Sequence, residues 1–352
     1  MIRSKPVLFK SSLLATLASG CLAAAAVLAG AAGAQAQTLN TIKDRGQLVC
    51  GVSTGLTGFS ISDDKGSWSG FDVDFCRALA AAIFNDTSKV KFVPLNASER
   101  FNELKAGKID VLSRNSTWTM SRETEFGLNF TGVTYYDGQG FMLHKTTRSV
   151  ESALDLGGAK ICVQAGTTTQ TNLADYFRAN NLKYEEVKFT VLADLVKAYE
   201  SGQCDVFTSD VSQLHSERAN FAKPADHVIL PDVISKEPLG PVVRQGDDGW
   251  LEIVKWTHFA MLNAEELGVA SKNIDQALQS AKPDVKRLVG TDGNSGEQIG
   301  LTNDWAARII RLVGNYGEVY DRNLGVGSKL GIPRGLNQLW NAGGIQYAPP
   351  IR

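Results

Sequence analysis

The sequence lacks an excess of charge of either sign and has no dense cluster of basic residues. Its 352 residues contain 36 Lys and Arg against 37 Asp and Glu. Binding to nucleic acid is therefore not expected, because phosphate recognition depends on clustered cations that displace counterions. With 43% hydrophobic residues the chain is also too apolar for a disordered protein. The length predicts a globular protein of about two domains.

Motifs of cofactor-dependent and metal-dependent enzymes are missing. The sequence contains no Walker loop and no dinucleotide fingerprint, and its four histidines show no spacing typical of a metal site. Gly51-Val52-Ser53-Thr54-Gly55 fits the G-x-S-x-G pattern of hydrolases, but glycines interrupt any helix that would follow. A glycine-rich loop is the favoured interpretation. We expect no cofactor and no metal, and an exported enzyme remains the alternative function.

A long segment near the N-terminus has no charge. Basic residues precede it, residues 11–34 are rich in Ala, Leu and Gly, and Ala34-Gln35-Ala36 ends it. This order predicts a secretory signal over residues 1–36, cleaved after Ala36. Two alternatives stay open, an uncleaved membrane anchor and a lipoprotein cut before Cys21. All three place the rest of the chain outside the cytoplasm.

Cysteine is scarce. Besides Cys21, the chain contains only Cys50, Cys76, Cys162 and Cys204. An even number in an oxidising compartment favours two disulfides over the alternative of four buried thiols. Three pairings are possible, and we prefer Cys50 with Cys76 and Cys162 with Cys204.

Strand and helix patterns alternate in two similar series. Each series runs strand, helix, strand, helix, strand, which is typical of a parallel sheet with crossover helices. The predicted strands are 48–52, 90–95, 109–112, 160–163, 184–189 and 204–208, and helical faces lie at 71–83, 101–104, 173–177 and 192–199. The segment 106–111 also resembles 201–206 at the same step of both series. The sequence therefore predicts two α/β lobes, each with a parallel-rich sheet flanked by helices.

Polar loops follow the predicted strands of both lobes. Ligands of such sheets bind beyond the carboxyl ends of the strands, so two facing lobes would form a cleft there. The loop from Ser113 to Arg122 carries hydroxyl and amide groups and an arginine that suit a carboxylate. The loop from Gln164 to Thr169 precedes a helix and favours an anion, while Asp210 suits an ammonium group. Together they suggest a zwitterion, although a solvated turn with a surface arginine and a plain helix cap remain open.

Several segments carry a resemblance to a known family. They are Gly70–Cys76, Ser113–Arg122, Asn129–Met142, Gly166–Thr168, Cys204–Asp210 and Lys236–Pro241. From Leu39 to Arg352 the chain resembles the general L-amino-acid-binding proteins of solute-binding protein family 3. These are the periplasmic substrate-binding subunits of polar amino-acid ABC importers.

The resemblance implies a two-lobed periplasmic-binding-protein fold of type II with two hinge crossovers. We expect the crossovers near residues 138–144 and 232–240. Residues 37–141 then form the first part of lobe 1, residues 142–235 form lobe 2, and residues 236–352 return to lobe 1 with a C-terminal extension. The implied function is binding of free L-amino acids by a monomer and their delivery to a membrane permease by hinge closure. A chemosensory role on the same fold is a further alternative.

The resemblance also assigns roles to residues. Arg122 matches the arginine that clamps the ligand α-carboxylate, and Asp210 matches the acid that holds the α-ammonium. The residues that match helpers of the arginine are Asn115, Thr117, Thr167 and Thr168. Ser53 lies where relatives selective for basic amino acids carry an acid, so basic ligands are not favoured. Arg100 aligns with an arginine of relatives selective for acidic ligands, which implies a broad range including acidic and amide amino acids.

Overall fold

The computed structural model describes residue 1 and residues 37–145 and 150–352. The predicted signal segment and its cleavage site after Ala36 lie outside the described residues. The strands are β1 (Leu48–Ser53), β2 (Ile61–Ser62), β3 (Trp68–Ser69), β4 (Val90–Leu95), β5 (Val111–Leu112), β6 (Leu128–Phe130), β7 (Tyr135–Asp137), β8 (Gln139–His144), β9 (Lys160–Gln164), β10 (Glu185–Phe189), β11 (Val206–Asp210), β12 (His227–Ile229), β13 (Glu237–Leu239) and β14 (Val242–Arg244).

The α-helices are α1 (Gln37–Arg45), α2 (Phe71–Phe84), α3 (Arg100–Lys105), α4 (Met120–Phe126), α5 (Thr168–Ala179), α6 (Leu192–Glu200), α7 (Val211–Arg218), α8 (Asp248–Glu266), α9 (Ile274–Ala277), α10 (Pro283–Val289), α11 (Ser295–Gln298), α12 (Trp305–Leu312) and α13 (Tyr316–Asn323). Short 3-10 helices cover Ala153–Leu156, Pro224–Asp226, Ser271–Asn273, Gly335–Asn337 and Trp340–Ala342. In the described part of the chain, no helix combines the length and the apolar character needed to cross a bilayer.

The two lobes are built on sheets with the same strand pattern. The lobe 1 sheet has the order β4-β1-β5-β14-β6, and the lobe 2 sheet has the order β10-β9-β11-β8-β12. In each sheet three parallel strands are followed by an antiparallel strand, which is β14 in lobe 1 and β8 in lobe 2. The predicted pair of α/β lobes with parallel-rich sheets is confirmed.

A two-stranded ribbon lies where the chain passes between the sheets. β7 pairs antiparallel with β13, with Asp137 opposite Glu237. The chain enters the lobe 2 sheet at Gly138 and leaves it after β12. A Cβ on Gly138 would lie 2.2 Å from a side-chain atom of Val233 and 2.8 Å from the Ser235 carbonyl oxygen. The two crossing segments therefore approach so closely that only glycine fits at this point.

Side chains of each sheet alternate between two cores. In β1, Leu48, Cys50 and Val52 face a large core, and Val49 faces a smaller one, as the two-residue period of a strand requires. The large core continues into the C-terminal helices, where Trp250 and Trp305 are buried. In lobe 2 the two faces of the sheet are covered by two separate smaller cores.

Two disulfides join elements within single lobes. Cys50 of β1 is bonded to Cys76 of α2, and Cys162 of β9 is bonded to Cys204 just before β11. The preferred pairing is confirmed.

Two predicted strands differ from the structure by two residues at an end, and the other differences are of one residue. The strand predicted at 109–112 begins at Val111, and the strand predicted at 204–208 runs from Val206 to Asp210. The second shift arises because the ladder between β11 and β8 continues to the pair of Asp210 and Gln139. Asp210 is therefore the last residue of a strand that leads directly into α7, and its position is set by backbone pairing.

Candidate functional site

Side chains from both lobes enclose a small cavity beyond the carboxyl ends of the parallel strands. Its volume is about 20 Å³. The residues that line it are Arg100, Arg114, Asn115, Thr117, Arg122, Gln164, Thr167, Thr168, Thr169, Ser209, Asp210 and Gln213. The structure thus brings seven of the eight predicted ligand-binding residues to one place.

Ser53 is the predicted residue that does not line this cavity. It is buried at the end of β1, and its amide N–H donates to Ser60 Oγ at 3.0 Å. A tight turn from Leu56 to Ser60 follows in place of a helix. The chain therefore does not form the strand-to-helix elbow that would expose Ser53 as a nucleophile.

Arg122 is fixed from three sides. Its amide N–H donates to Thr119 Oγ1 at 3.3 Å, which caps α4. Its Nη1 donates to the Thr117 carbonyl oxygen at 2.6 Å, and its guanidinium lies 5.1 Å from the centre of the Phe101 ring. Burial lowers the pKa of Arg122 to about 10, against the opposing influence of Glu237 and Asp210. The side chain stays a preorganised cation at neutral pH.

Arg100 lies on the same aromatic ring. Its guanidinium is 4.7 Å from the Phe101 centroid, and the residue is only 2% exposed. Within the described structure, its Nε and Nη1 have no hydrogen-bond partner. Burial, with Arg114 and Arg122 nearby, holds the pKa of Arg100 well below its usual range, and Asp210 opposes this. An anionic group in the cavity would satisfy donors that are otherwise buried at a cost.

Arg114 lines the cavity but was not predicted as a site residue. Its Nε donates to the Leu95 carbonyl oxygen at 3.2 Å, and burial lowers its pKa to about 10. Asp72 lies close enough to favour its charge. Burial raises the pKa of Asp72 to about 7, and Arg114 counteracts that shift. The position of Arg114 two residues beyond β5 is the signal that marks it as a cavity residue.

The lobe 2 side of the cavity carries an acid and hydroxyl groups. Asp210 is 7% exposed, and burial together with Asp137 and Glu237 raises its pKa well above its ordinary value. Thr167 precedes the first turn of α5, and its Oγ1 donates to the Gln164 carbonyl oxygen at 2.7 Å and accepts from Thr169 Oγ1 at 2.6 Å. A cation beside Asp210 would relieve the repulsion among the three carboxylates.

Glu237 does not line the cavity but contacts two residues that do, Thr117 and Thr168, and it was not predicted as a site residue. It is 1% exposed and accepts hydrogen bonds from both lobes. Its partners are Thr117, Thr168, Asn172 and Ser235. These partners lie 120, 69, 65 and 2 residues away along the chain. No local motif marks such a residue, because its role depends on the packing of distant segments.

Direct contacts hold the two lobes together around the cavity. Asn115 Nδ2 donates to Gln213 Oε1 at 3.3 Å, and the Thr117 and Thr168 hydroxyl oxygens are 3.3 Å apart. Farther out, Asn220 Nδ2 donates to Thr57 Oγ1 at 2.9 Å. A cavity of about 20 Å³ has room for about one water molecule. The lobes are therefore closed, and a ligand larger than water can reach these side chains only after the lobes separate.

Larger cavities lie on the C-terminal helices, away from the contact between the lobes. One of about 380 Å³ is lined by residues of the segment Leu267–Val285, and another of about 200 Å³ lies beside Trp256 and Trp305. Neither combines arginines and carboxylates from two lobes. Among the described residues, no group of three or more His, Cys, Asp or Glu side chains is arranged to hold a metal ion.

Comparisons with known proteins agree with this geometry. The family of bacterial extracellular solute-binding proteins, family 3, matches residues 48–273. The chain is 57% identical over 338 residues to the general L-amino acid-binding periplasmic protein AapJ of Rhizobium johnstonii, covering 96% of this chain and 99% of that protein. It is 51% identical over 334 residues to the glutamate/glutamine/aspartate/asparagine-binding protein BztA of Rhodobacter capsulatus, covering 95% of this chain and 98% of that protein.

A solved structure is similar over nearly the whole described chain. An ABC transporter periplasmic binding protein from Brucella ovis with glutathione bound has a TM-score of 0.89 and 55% sequence identity. The match covers 90% of this chain and 100% of that chain. The C-terminal helices beyond residue 273, which the family match does not reach, are therefore shared with relatives of this length.

Proposed function

The chain belongs to the bacterial extracellular solute-binding proteins of family 3, and from that premise we propose that it binds a free L-amino acid between its lobes. Closure of the lobes then presents the loaded protein to the permease of an ABC importer. The names of the Rhizobium and Rhodobacter relatives support this class of ligand. We propose a monomer, exported to the periplasm with cleavage of the signal after Ala36, in which the segment from β8 to β12 moves as lobe 2.

The observation that carries the proposal is the separation of charge across the closed cavity. Lobe 1 supplies Arg122, Arg114 and Arg100, and lobe 2 supplies Asp210. A guanidinium pairs with a carboxylate through two parallel hydrogen bonds, and a carboxylate pairs with an ammonium. The geometry thus suits an α-amino acid whose carboxylate lies on Arg122 and whose ammonium lies on Asp210.

Arg100 supports a preference for acidic and amide side chains. The guanidinium groups of Arg100 and Arg122 both pack against the Phe101 ring. The unpaired Nε and Nη1 of Arg100 would therefore reach a second oxygen-bearing group of the same ligand. Glutathione, bound in the Brucella structure, carries a γ-glutamyl group with a free α-ammonium and α-carboxylate, so it joins the ligands to be tested.

The test is a thermal-shift and calorimetric screen of refolded, ligand-stripped protein against the twenty L-amino acids and glutathione. A ligand that binds the native state raises the melting temperature. We expect stabilisation by many amino acids, with Glu, Gln, Asp and Asn among them. In Arg100→Ala, affinity should fall chiefly for Glu and Asp. A response to no amino acid would overturn the proposed function, and equal losses for every ligand in Arg100→Ala would overturn the side-chain role of Arg100.

A further inference from the structure

Glu237 occupies the point at which both lobes and the returning hinge segment meet. It begins β13, where it pairs with Asp137 of the other crossing strand. Among the described residues it forms no ion pair, although Arg122 is near enough for their charges to interact. A buried acid of this kind is tolerated only when hydrogen-bond donors surround it.

Four donors saturate the Glu237 carboxylate. Thr117 Oγ1 and Thr168 Oγ1 donate to its Oε2 at 2.5 and 2.8 Å. Asn172 Nδ2 and Ser235 Oγ donate to its Oε1, both at 2.7 Å. Thr117 belongs to lobe 1, Thr168 and Asn172 belong to lobe 2, and Ser235 belongs to the crossing. One carboxylate therefore completes its hydrogen bonding only when the two lobes are together.

These bonds decide what the two threonines offer to a ligand. A hydroxyl group has one proton to donate and two lone pairs that accept. Thr117 and Thr168 each donate that one proton to Glu237 Oε2. Toward the cavity the two oxygens, 3.3 Å apart, then present lone pairs only. Lone pairs repel a ligand carboxylate and accept from a ligand ammonium.

We propose that Glu237 is a positioning residue that turns Thr117 and Thr168 into a pair of ammonium acceptors spanning the two lobes. This inference rests on the proposed function and changes one part of it, because the family resemblance implies that these threonines help to bind the carboxylate. Glu237 thereby ties recognition of the ligand ammonium to closure, since the acceptor pair exists only when lobe 1 and lobe 2 meet at this carboxylate.

The test compares affinity for L-glutamine with affinity for its des-amino analogue, glutaramate, by calorimetry. Wild-type protein should prefer the amino acid strongly. In Glu237→Met the side chain keeps nearly the same length but has no strong acceptor for either hydroxyl proton, so the preference should fall at least about tenfold, with most of the loss in affinity for L-glutamine. Glu265→Met, which removes an acid from an ion pair with Arg334 away from the cavity, is the matched control and should keep the wild-type ratio.

A second variant guards against a folding defect. Thr117→Val removes the hydroxyl at nearly constant volume and should lower the preference in the same direction, whereas Thr117→Ser should restore it. Equal weakening of both ligands in Glu237→Met and Thr117→Val would mean that Glu237 has only a structural role, and the inference would be wrong. If wild-type protein binds no amino acid at all, the proposed function itself fails, which is a distinguishable result.

Discussion

The two lobes share one strand pattern but differ in what packs on it and in the charges they bring to the cavity. The lobe 1 sheet lies against a core that continues through α8, α12 and α13, and it carries the three arginines. The lobe 2 sheet has two small cores, a disulfide, and an acid with hydroxyl groups at its cavity edge. This difference suggests that lobe 1, with its large core and its three arginines, stays fixed during closure. Lobe 2, with its two small cores, is then the lobe that moves.

Replacing Arg122, the arginine of lobe 1 expected to bind the ligand carboxylate, should have the largest effect on affinity. Arg122→Ala leaves a buried ligand carboxylate without its partner, which costs about 3–5 kcal/mol of binding free energy. Calorimetry with L-glutamine measures this loss, and Arg178→Ala, which alters an exposed ion pair in lobe 2, is the control. An affinity of Arg122→Ala within a few-fold of wild type would show that Arg122 does not bind the ligand carboxylate.

Breaking the disulfides should separate the stabilities of the two lobes. The double change of Cys162 and Cys204 to Ala opens a 42-residue loop in lobe 2, and that of Cys50 and Cys76 opens a 26-residue loop in lobe 1. Chain entropy alone predicts a loss of about 3–4 kcal/mol for each. Because its cores are small, lobe 2 should then unfold separately, with faster hydrogen exchange in α5 and β9.

The same measurement on the lobe 1 variant should show a single cooperative transition at a lower temperature, since the C-terminal helices still support its core. Separate unfolding of lobe 1, or equal hydrogen exchange in the two lobes of both variants, would contradict the view that the C-terminal helices make lobe 1 the more stable lobe.

The sequence allowed much of this contrast to be predicted, but not all of it. The order of strands and helices placed Asn115 and Asp210 at the cavity because the carboxyl ends of parallel strands meet at one edge. Glu237 escaped prediction because its cavity-side partners, Thr117 and Thr168, lie 120 and 69 residues away. Arg114 was not predicted because Arg122 of the same loop has the stronger family match, although the position of Arg114 just beyond β5 could have marked it.

The C-terminal segment also contacts β7, the first strand that crosses between the lobes, and no local sequence pattern indicates this contact. The backbone N–H of Tyr136 donates to Asn337 Oδ1 at 2.7 Å, and Asn337 Nδ2 donates to the Tyr136 carbonyl oxygen at 3.1 Å. On the other edge β7 pairs with β13. The amide of Asn337 thus completes the hydrogen bonding of the first crossing strand as a neighbouring strand would.

Asn337→Ala should lower the free energy of unfolding by about 1–3 kcal/mol, because it leaves two backbone groups of β7 without partners. Urea denaturation followed by circular dichroism measures the change. Asn263→Ala, which loses hydrogen bonds to the carbonyl oxygens of Phe259 and Pro349 and none to β7, serves as a comparison and should leave hydrogen exchange in β7 unaltered. Unchanged hydrogen exchange in β7 of Asn337→Ala would show that the C-terminal segment does not stabilise this crossing strand.

The smallest predicted effect concerns a buried histidine in the lobe 1 core. Burial lowers the pKa of His258 to about 4, while an unfolded histidine has a pKa near 6.5. The unfolded chain therefore binds the proton more readily, and this contribution to stability is lost as the pH falls from about 6.5 to about 4. Between pH 7 and 5.5 the loss should be about 1 kcal/mol.

His258→Leu should remove that part of the pH dependence, because an apolar side chain suits a niche beside Phe259 and Tyr316. Urea denaturation of both proteins at the two pH values isolates the effect from other groups, since those groups titrate equally in each. The same pH dependence in wild type and variant would mean that His258 is not the source.

A crystal structure of the protein grown with saturating L-glutamine would show how the two lobes hold the ligand. We expect one ligand between the lobes, with its α-carboxylate within about 3 Å of the Arg122 guanidinium and its α-ammonium within about 3 Å of the Asp210 carboxylate. A ligand bound outside the cleft, or one with its α-carboxylate held by lobe 2 and its ammonium turned away from Asp210, would contradict the proposed binding mode.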